Sequence, residues 1–419
     1  MYQIKIPLFS FLVKLILVLF FPFVILIAKF KKIIFFNGNQ EILLTHFGAI
    51  GDTLICIPYV HLLKKKLPRY KINFLTSDRG AYQILKRNKD IDNVIFFQQY
   101  KNGNVKSRFN RGGNRLINQI KLFYLYPIYV LKIIFSRIVI GASLGPFHEA
   151  GTFSNLLFDI SGIKISIGCF GNFKNSLSKT VKENVLDEHW NQIYMRIIES
   201  VLNELKISLE DDFEKLIKKK SFEITYDEKK TIINNIYSKG LKKPFMISVI
   251  HPGGATYVNS KLWGIDKFAV IADYLYEKYN MNIFITGSSS EKYLAKSVSY
   301  KMKNPCYIVA GEYDIPMVAS LLDLTTICIT NDTSILHLAN VMETKYILSI
   351  WGPTNPMKIG EKNDRNYFIK SPIECSPCIT LDAGDIKKKC DREIKEECLK
   401  IIEPEKVRNV IDKIFSNLE

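Results

Sequence analysis

From residue 41 onward, short apolar runs alternate with longer segments whose apolar positions recur at helical spacing. Residues 41–46 (EILLTH), 71–76 and 94–97 read as strands, with helices over 52–66 and from about Ala81. The pattern returns later in the chain. Strands are expected at 245–250, 282–286, 306–309, 326–329 and 345–350, and helices over 266–279, from Ser289, and over 333–341. Apolar runs without polar alternation suit strands buried on both faces of a parallel sheet. Two successive strand–helix–strand blocks predict an α/β protein with two doubly wound domains. Ligands of such sheets bind beyond the carboxyl ends of the strands. Residues 218–238 are polar and read as a bridge between the blocks. No repeat of solenoid period is visible.

Two segments depart from this pattern. Residues 6–28 carry one charge, Lys14, and one interior proline, Pro22. As a helix this run reaches roughly 34 Å, enough for a hydrocarbon core of about 30 Å. Lys29, Lys31 and Lys32 follow it, and only Lys5 precedes it. That asymmetry places the remainder on the cytoplasmic side. The expectation is an N-terminal anchor at the cytoplasmic face of the inner membrane, spanning or lying on the bilayer. The length of the run and the lack of a clear A-x-A site argue against a cleaved signal peptide. The second segment, 93–148, contains no Asp or Glu but eight basic residues, from Lys101 to Arg137, mixed with aromatics. Its part 116–140 is apolar, with Lys121, Lys132 and Arg137 spaced along it. This suits a helix on an anionic membrane surface or around an anionic lipid. A buried core helix after a solvated basic loop fits the same pattern. Single-stranded nucleic acid also favours cations among aromatics, but charge alone suggests it, and no nucleic-acid partner is expected.

Charge and length extend the picture. Fifty-eight Lys and Arg against 41 Asp and Glu leave +17, which favours an anionic partner. Hydrophobic residues at 47% and charged residues at 24% exclude a disordered chain. A single run long enough to cross a bilayer excludes a polytopic transporter. At 419 residues the chain exceeds one ordinary core. The expected division is 1–32 anchor, 33–238 first doubly wound domain with the basic insert, 239–403 second doubly wound domain and 404–419 C-terminal helix.

Four strand ends carry candidate chemistry. In THFGAIGDTL, Gly48 and Gly51 turn the chain and a helix opens at Asp52. Helix N–H groups there favour an anion, and a carboxylate at that place is held ionised. Asp52 therefore reads either as a helix cap or as a general base. In HPGGATYVNSKLWG, Gly253 and Gly254 follow a strand, and Lys261 is placed to neutralise a phosphate or to be a surface lysine. In TGSSSE, Gly287 leads to Glu291, a first-turn helix residue or a ribose partner. In NDTSILH, Asp332, Thr333 and Ser334 open a helix that suits a diphosphate, and His337 lies one turn on as a ligand contact or a structural histidine. The next strand ends in WGPTNP, with Gly352 in its turn. Three such loops at one sheet edge fit a nucleotide diphosphate, and the other domain offers a carboxylate.

These motifs, in this order and at about this spacing, resemble glycosyltransferase family 9, the lipopolysaccharide heptosyltransferases. The resemblance runs from about Glu41 to the C-terminus. It implies a GT-B fold, two Rossmann-like domains facing a cleft. It also implies inverting, metal-independent transfer of heptose from ADP-heptose to a lipid-linked saccharide such as lipopolysaccharide core, with no cofactor required. Carried over by motif, Asp52 is the general base, Lys261 faces the donor phosphates and Glu291 contacts the ribose. Asp332, Thr333 and Ser334 lie at the pyrophosphate and sugar, and His337 is the histidine of that helix. Ser334 replaces the usual glycine. The N-terminal apolar segment and the basic insert lie outside the compact family core.

No D-x-D triplet sits in a loop suited to a metal-dependent transferase, and Asp211-Asp212 reads as solvated surface. Cys375, Cys378, Cys390 and Cys398 form C-x2-C-x11-C-x7-C, which fits free or redox-active thiols, a structural metal site or disulfides. The other four cysteines lie in apolar contexts and read as small core residues. Two rival functions share the fold: transfer of another nucleotide sugar to a capsule or O-chain glycan, and non-catalytic binding of a sugar nucleotide or anionic lipid.

Overall fold

The computed structural model describes residues 20–33, 40–97, 127–145, 148–169, 179–181, 188–209, 222–241, 245–254, 261–379, 390 and 392–416. The chain divides into two compact units. One is Met1–Gly48 with Cys56–Lys219, the other Ala49–Ile55 with Lys220–Glu419.

Each unit is built on a six-stranded parallel sheet. In the first, β1 (Glu41–Thr45), β2 (Lys71–Thr76), β3 (Asn93–Phe96), β4 (Ile138–Ser143), β5 (Ile165–Cys169) and β6 (Lys179–Val181) take the order β3-β2-β1-β4-β5-β6. In the second, β7 (Ile247–His251), β8 (Asn282–Ile285), β9 (Tyr307–Ile308), β10 (Ile327–Asn331), β11 (Tyr346–Trp351) and β12 (Asn366–Lys370) take the order β12-β11-β10-β7-β8-β9. Counted from its own first strand, each sheet has the same order. The order reverses between β1 and β4 in one sheet and between β7 and β10 in the other. Such switch points open a crevice outside the strand ends. The sequence motifs at the ends of β1, β7 and β10 therefore fall at these crevices.

In chain order, the helices that shape the argument are α1 (Phe21–Ile33), α2 (Ile50–Lys66), α3 (Pro127–Ile134), α4 (Tyr226–Ser238), α5 (Ile265–Tyr279), α6 (Ile315–Leu322), α7 (Ser334–Val341) and α8 (Pro404–Ser416). In α5, Phe268, Ile271, Ala272 and Leu275 recur at helical spacing and are buried with Val407, Ile411 and Ile414 of α8. The Trp263 indole N–H donates to the Ile402 carbonyl at 2.8 Å and ties the chain before α5 to the segment before α8. The polar segment read as a bridge instead contains α4. A capping box of Thr225 and Glu228 starts this helix, which packs on α6 with Ile232 and Ile236 buried. Lys229 reaches Asp323 at 2.5 Å, so α4 is part of the second unit.

The anchor expectation falls partly outside the described residues, and one other expectation is corrected. The described part of the apolar N-terminal run is α1, which continues past Ala28 to Ile33. Its Phe21, Val24 and Ala28 are buried with Val130, Ile133 and Ile134 of α3. The Lys31 ammonium is also buried and donates to the Ile133 carbonyl at 2.5 Å. Burial, partly countered by Glu41, brings its pKa down to about 8. A side chain on Gly162 would run into the Ala28 carbonyl. So α1 is docked on the first unit along one face. Among the described residues no helix is long and apolar enough to cross a membrane. Residues 6–19 of the expected span lie outside the described residues.

The correction concerns 116–140. Its described part is not one helix: α3 ends at Ile134 and the central strand β4 begins at Ile138. Residues 116–126, with Lys121, lie outside the described residues.

Candidate functional site

Four strands of the second unit present the candidate donor residues. At the end of β10, Asp332 is buried, and its Oδ2 accepts from Lys261 Nζ at 2.5 Å and from the Thr354 hydroxyl at 2.7 Å. Thr354 follows β11 in the Gly352-Pro353-Thr354 turn, and Lys261 lies beyond β7. Burial works against the Asp332 carboxylate. The Lys261 charge, the hydrogen bonds from Lys261 and Thr354, and the field of His337 outweigh it, so its pKa lies below the usual carboxylate range. The result is an ionised, oriented pair with the ammonium at the strand ends.

Thr333, next in sequence, caps α7 by position only. It makes no side-chain cap bond, and its hydroxyl pairs with Thr330 at 3.0 Å. The backbone N–H groups of the first turn of α7 point along the helix axis, where a negative group is favoured. Ser334 is the first residue of α7, and His337 is buried one turn on.

Asn331, the last residue of β10, joins these loops. Its side-chain amide donates to the carbonyls of Pro252 at 3.1 Å and Gly253 at 2.8 Å, and its Oδ1 accepts from the Trp263 N–H at 3.2 Å. One buried side chain thus fixes both flanks of the loop between β7 and α5. Sequence reading passed over Asn331 and gave Thr354 only a general place in a turn. The signal for Asn331 is an amide ending a strand buried along its whole length, where every amide hydrogen-bonding group needs a partner.

Glu291 ends a 3-10 turn, Ser289–Glu291, and forms a capping box with Ser288. Its Oε2 accepts from the Ser288 N–H at 2.8 Å and hydroxyl at 2.7 Å, and its Oε1 from the Gly254 N–H at 3.2 Å. The carboxylate therefore clips the loop after β8 to the loop after β7. Gly253 is required for this approach, because a Cβ there would lie 2.3 Å from Glu291 Oε1 and 3.0 Å from His251 Nε2. His251 is buried with Nδ1 3.1 Å from the Thr286 hydroxyl. Burial lowers its pKa, against the pull of Glu291 and Thr286. Burial tends to raise the Glu291 pKa. His251, the Ser288 N–H and hydroxyl, and the Gly254 N–H reverse that, and the net shift is downward.

Asp52 is the third residue of α2, and its Oδ2 accepts from the Ala49 N–H at 2.9 Å. It does cap its own helix, and it stays partly exposed. Residues Ala49–Ile55 group with the second unit, where Gly51 lies against α7. A Cβ on Gly51 would be 2.8 Å from His337 Cδ2 and 3.5 Å from Ser334 Cα. The turn bearing Asp52 is thus seated on the helix that bears Ser334 and His337. Gly48 and Gly287 sit in the turns after β1 and β8, as expected, with the Gly48 N–H on His46 Nδ1 at 3.3 Å.

Of the four late cysteines, Cys375 is exposed, Cys378 and Cys390 are half-buried and Cys398 is buried; Cys56, Cys169 and Cys328 are buried and Cys306 is half-buried. Burial, then the proximity of Cys378, Cys375 and Cys390, pushes Cys398 up to about 11. Among the described residues no group of three or more His, Cys, Asp or Glu is placed to hold a metal ion. The cysteine segment does brace the site. The Ser376 hydroxyl donates to the Gly352 carbonyl at 2.5 Å, and the Cys378 N–H to the Pro353 carbonyl at 2.9 Å.

Residues 153–388, more than half of the chain, match the model of glycosyltransferase family 9 (heptosyltransferase). No curated protein matches the chain. Many solved structures share its fold. A glycosyl transferase family 9 protein from Veillonella parvula DSM 2008 is 18% identical, with a TM-score of 0.67 over 91% of this chain and 98% of that one. The E. coli ADP-heptose lps heptosyltransferase II is 14% identical, with a TM-score of 0.63 over 90% and 99%. The E. coli heptosyltransferase WaaC with ADP is 12% identical, with a TM-score of 0.57 over 89% and 97%.

Proposed function

Because the chain belongs to glycosyltransferase family 9, we propose that it transfers heptose from ADP-heptose to a lipid-linked saccharide such as lipopolysaccharide core, with inversion and without a catalytic metal. The observation that carries this reading is the Lys261–Asp332–Thr354 cluster beside the first turn of α7. A buried carboxylate that holds a lysine at a helix N-terminus makes a site for a diphosphate. The named ligands of two structural neighbours, ADP and ADP-2-deoxy-2-fluoro heptose, support an ADP-linked donor.

In this reading Asp52 takes the proton of the acceptor hydroxyl. The acceptor oxygen forms its bond to the anomeric carbon on the face opposite the diphosphate. The bond from that carbon to the phosphate oxygen breaks, and its electron pair leaves with ADP. Lys261 and the N–H groups of α7 stabilise the charge on the departing diphosphate. A lipid-linked acceptor is presented at a membrane, and the positive balance of the chain suits an anionic surface.

Ser334 favours a second reading, transfer of a different sugar. A side chain in place of the family glycine adds bulk and a hydroxyl where the sugar would lie. The test incubates the purified full chain with a panel of nucleotide sugars and a lipid-linked core acceptor, with and without EDTA. The acceptor is then weighed intact. A mass gain of one heptose from ADP-heptose, unchanged by EDTA, is expected. A gain from another nucleotide sugar alone would select the second reading. Nucleotide binding without transfer from any donor would overturn both.

A further inference from the structure

We propose that the outer faces of α1 and α3 form a docking surface for an anionic lipid bilayer, so that the first unit lies on the membrane along these helices. The inference takes from the proposed function only that the acceptor is presented at a membrane.

The two faces of α1 are both apolar, but only one is buried. Phe21, Val24, Ala28 and Lys31 recur at helical spacing and are buried. Phe23, Leu26, Ile27 and Phe30 recur on the other side, with Phe20 at the start, and all are exposed, Phe23 by 62% and Phe30 by 56%. A helix that needed only to cover its domain would carry polar residues there. In α3, Val130, Ile133 and Ile134 are buried. Ile128, Lys132 and Phe135, which share a face, are turned outward, with Ile128 65% and Phe135 72% exposed. The helices pack on one another and are locked by the Lys31 bond to Ile133. The exposed stripes are thus held in place by folded structure.

Charge selects the occupant. The exposed charges on and just beyond these helices are cationic: Lys29 on α1, Lys132 on α3 and Arg137 three residues after its end. Neither helix contains an acidic residue. Large apolar side chains beside cations, on two helices that carry no carboxylate, match an acyl–headgroup boundary bearing negative lipids. A second copy of the chain would bring the same cations against these, and repulsion would oppose that pairing. In this arrangement the outer faces of α1 and α3 meet the bilayer from the side of the first unit.

Vesicle co-sedimentation of the full chain tests this without donor or acceptor. Phosphatidylcholine vesicles are compared with vesicles containing phosphatidylglycerol, for wild type, Phe23→Ser/Phe30→Ser and Lys132→Glu. Both changes are at exposed positions, and melting temperature is measured alongside to verify folding. Wild type should prefer phosphatidylglycerol. The double variant should lose about tenfold or more in partitioning, and Lys132→Glu roughly fivefold or more on anionic vesicles only. Unchanged partitioning of the folded double variant would overturn the proposal. So would a wild-type dimer that the double variant converts to monomer. Vesicle binding by a protein that transfers no sugar would support this surface while removing the proposed function. Transfer to a soluble acceptor by a protein that ignores vesicles would do the reverse.

Discussion

Lys261 and Asp332 are 71 residues apart in sequence and 2.5 Å apart as an ion pair. Two residues that the motifs assign to different parts of a donor act here as one group. Asp332 supplies the negative partner that fixes Lys261, and Thr354 fixes Asp332. Removing either end has different consequences. Lys261→Met leaves a buried carboxylate uncompensated, which costs roughly 3–5 kcal/mol. Asp332→Asn keeps an acceptor for Thr354 and leaves only the ammonium, which is better able to reach water. Lys261→Met should therefore lower melting temperature more than Asp332→Asn and also weaken ADP binding by about tenfold or more. Thermal melts with calorimetric ADP titrations check both. Unchanged ADP affinity in Lys261→Met would remove the lysine from the phosphate site.

Acid should expose the same pair. The Asp332 pKa is lower in the folded protein than in the unfolded chain. Its stabilising contribution is thus complete above about pH 4, the unfolded value, and is lost as pH falls through the folded value. Glu291, also lowered, adds in the same direction. Urea midpoints from neutral pH downward should fall more steeply below about pH 4 in wild type than in Asp332→Asn. Parallel curves would contradict the assignment.

Most of the frame was legible from hydrophobic pattern, because buried parallel strands are short apolar runs bounded by turn residues. Lys71–Thr76 is a strand with the predicted bounds, and α2 begins two residues before the expected Asp52. Legibility failed at β4, where the apolar run through Ile138 continues from α3 with no breaker that separates helix from strand. At α1 the two apolar faces read alike in sequence, and only packing separates the buried one, with Lys31, from the exposed one. At the site, glycines and helix openings marked the loops. The pairings Lys261–Asp332 and Asn331–Gly253 join residues more than 70 positions apart, and local pattern carries no signal for such contacts.

Asn331 should matter more than its silence in the sequence suggests. Asn331→Ala leaves the Pro252 and Gly253 carbonyls and the Trp263 N–H without this partner, at about 1–3 kcal/mol per buried group left unsatisfied. The loop that carries Lys261 should loosen. Donor KM should rise with a smaller change in kcat, and hydrogen exchange near Trp263 should quicken. Wild-type exchange and KM in the variant would show that other contacts hold the loop.

Gly51→Ala adds a methyl group 2.8 Å from His337 Cδ2. Either the His337 ring or the first turn of α2 must shift. Misplacement of a reacting group by about 1 Å can cost on the order of 10²-fold in rate. Turnover should fall at least tenfold in a folded protein. Wild-type turnover would mean that the seating of this turn on α7 is incidental.

The central claim is that Asp52 is the general base. It already accepts the Ala49 N–H as a cap, and Asn caps about as well as Asp, so Asp52→Asn should change stability by less than roughly 1 kcal/mol. A positioned base contributes typically about 10²–10⁴-fold. The decisive measurement is kcat of Asp52→Asn on the lipid-linked acceptor, with donor Kd and melting temperature from the same preparation. The account predicts a fall in kcat of about 10² or more, with donor Kd and melting temperature nearly unchanged. Turnover within a few-fold of wild type would make Asp52 a helix cap only and contradict the mechanism.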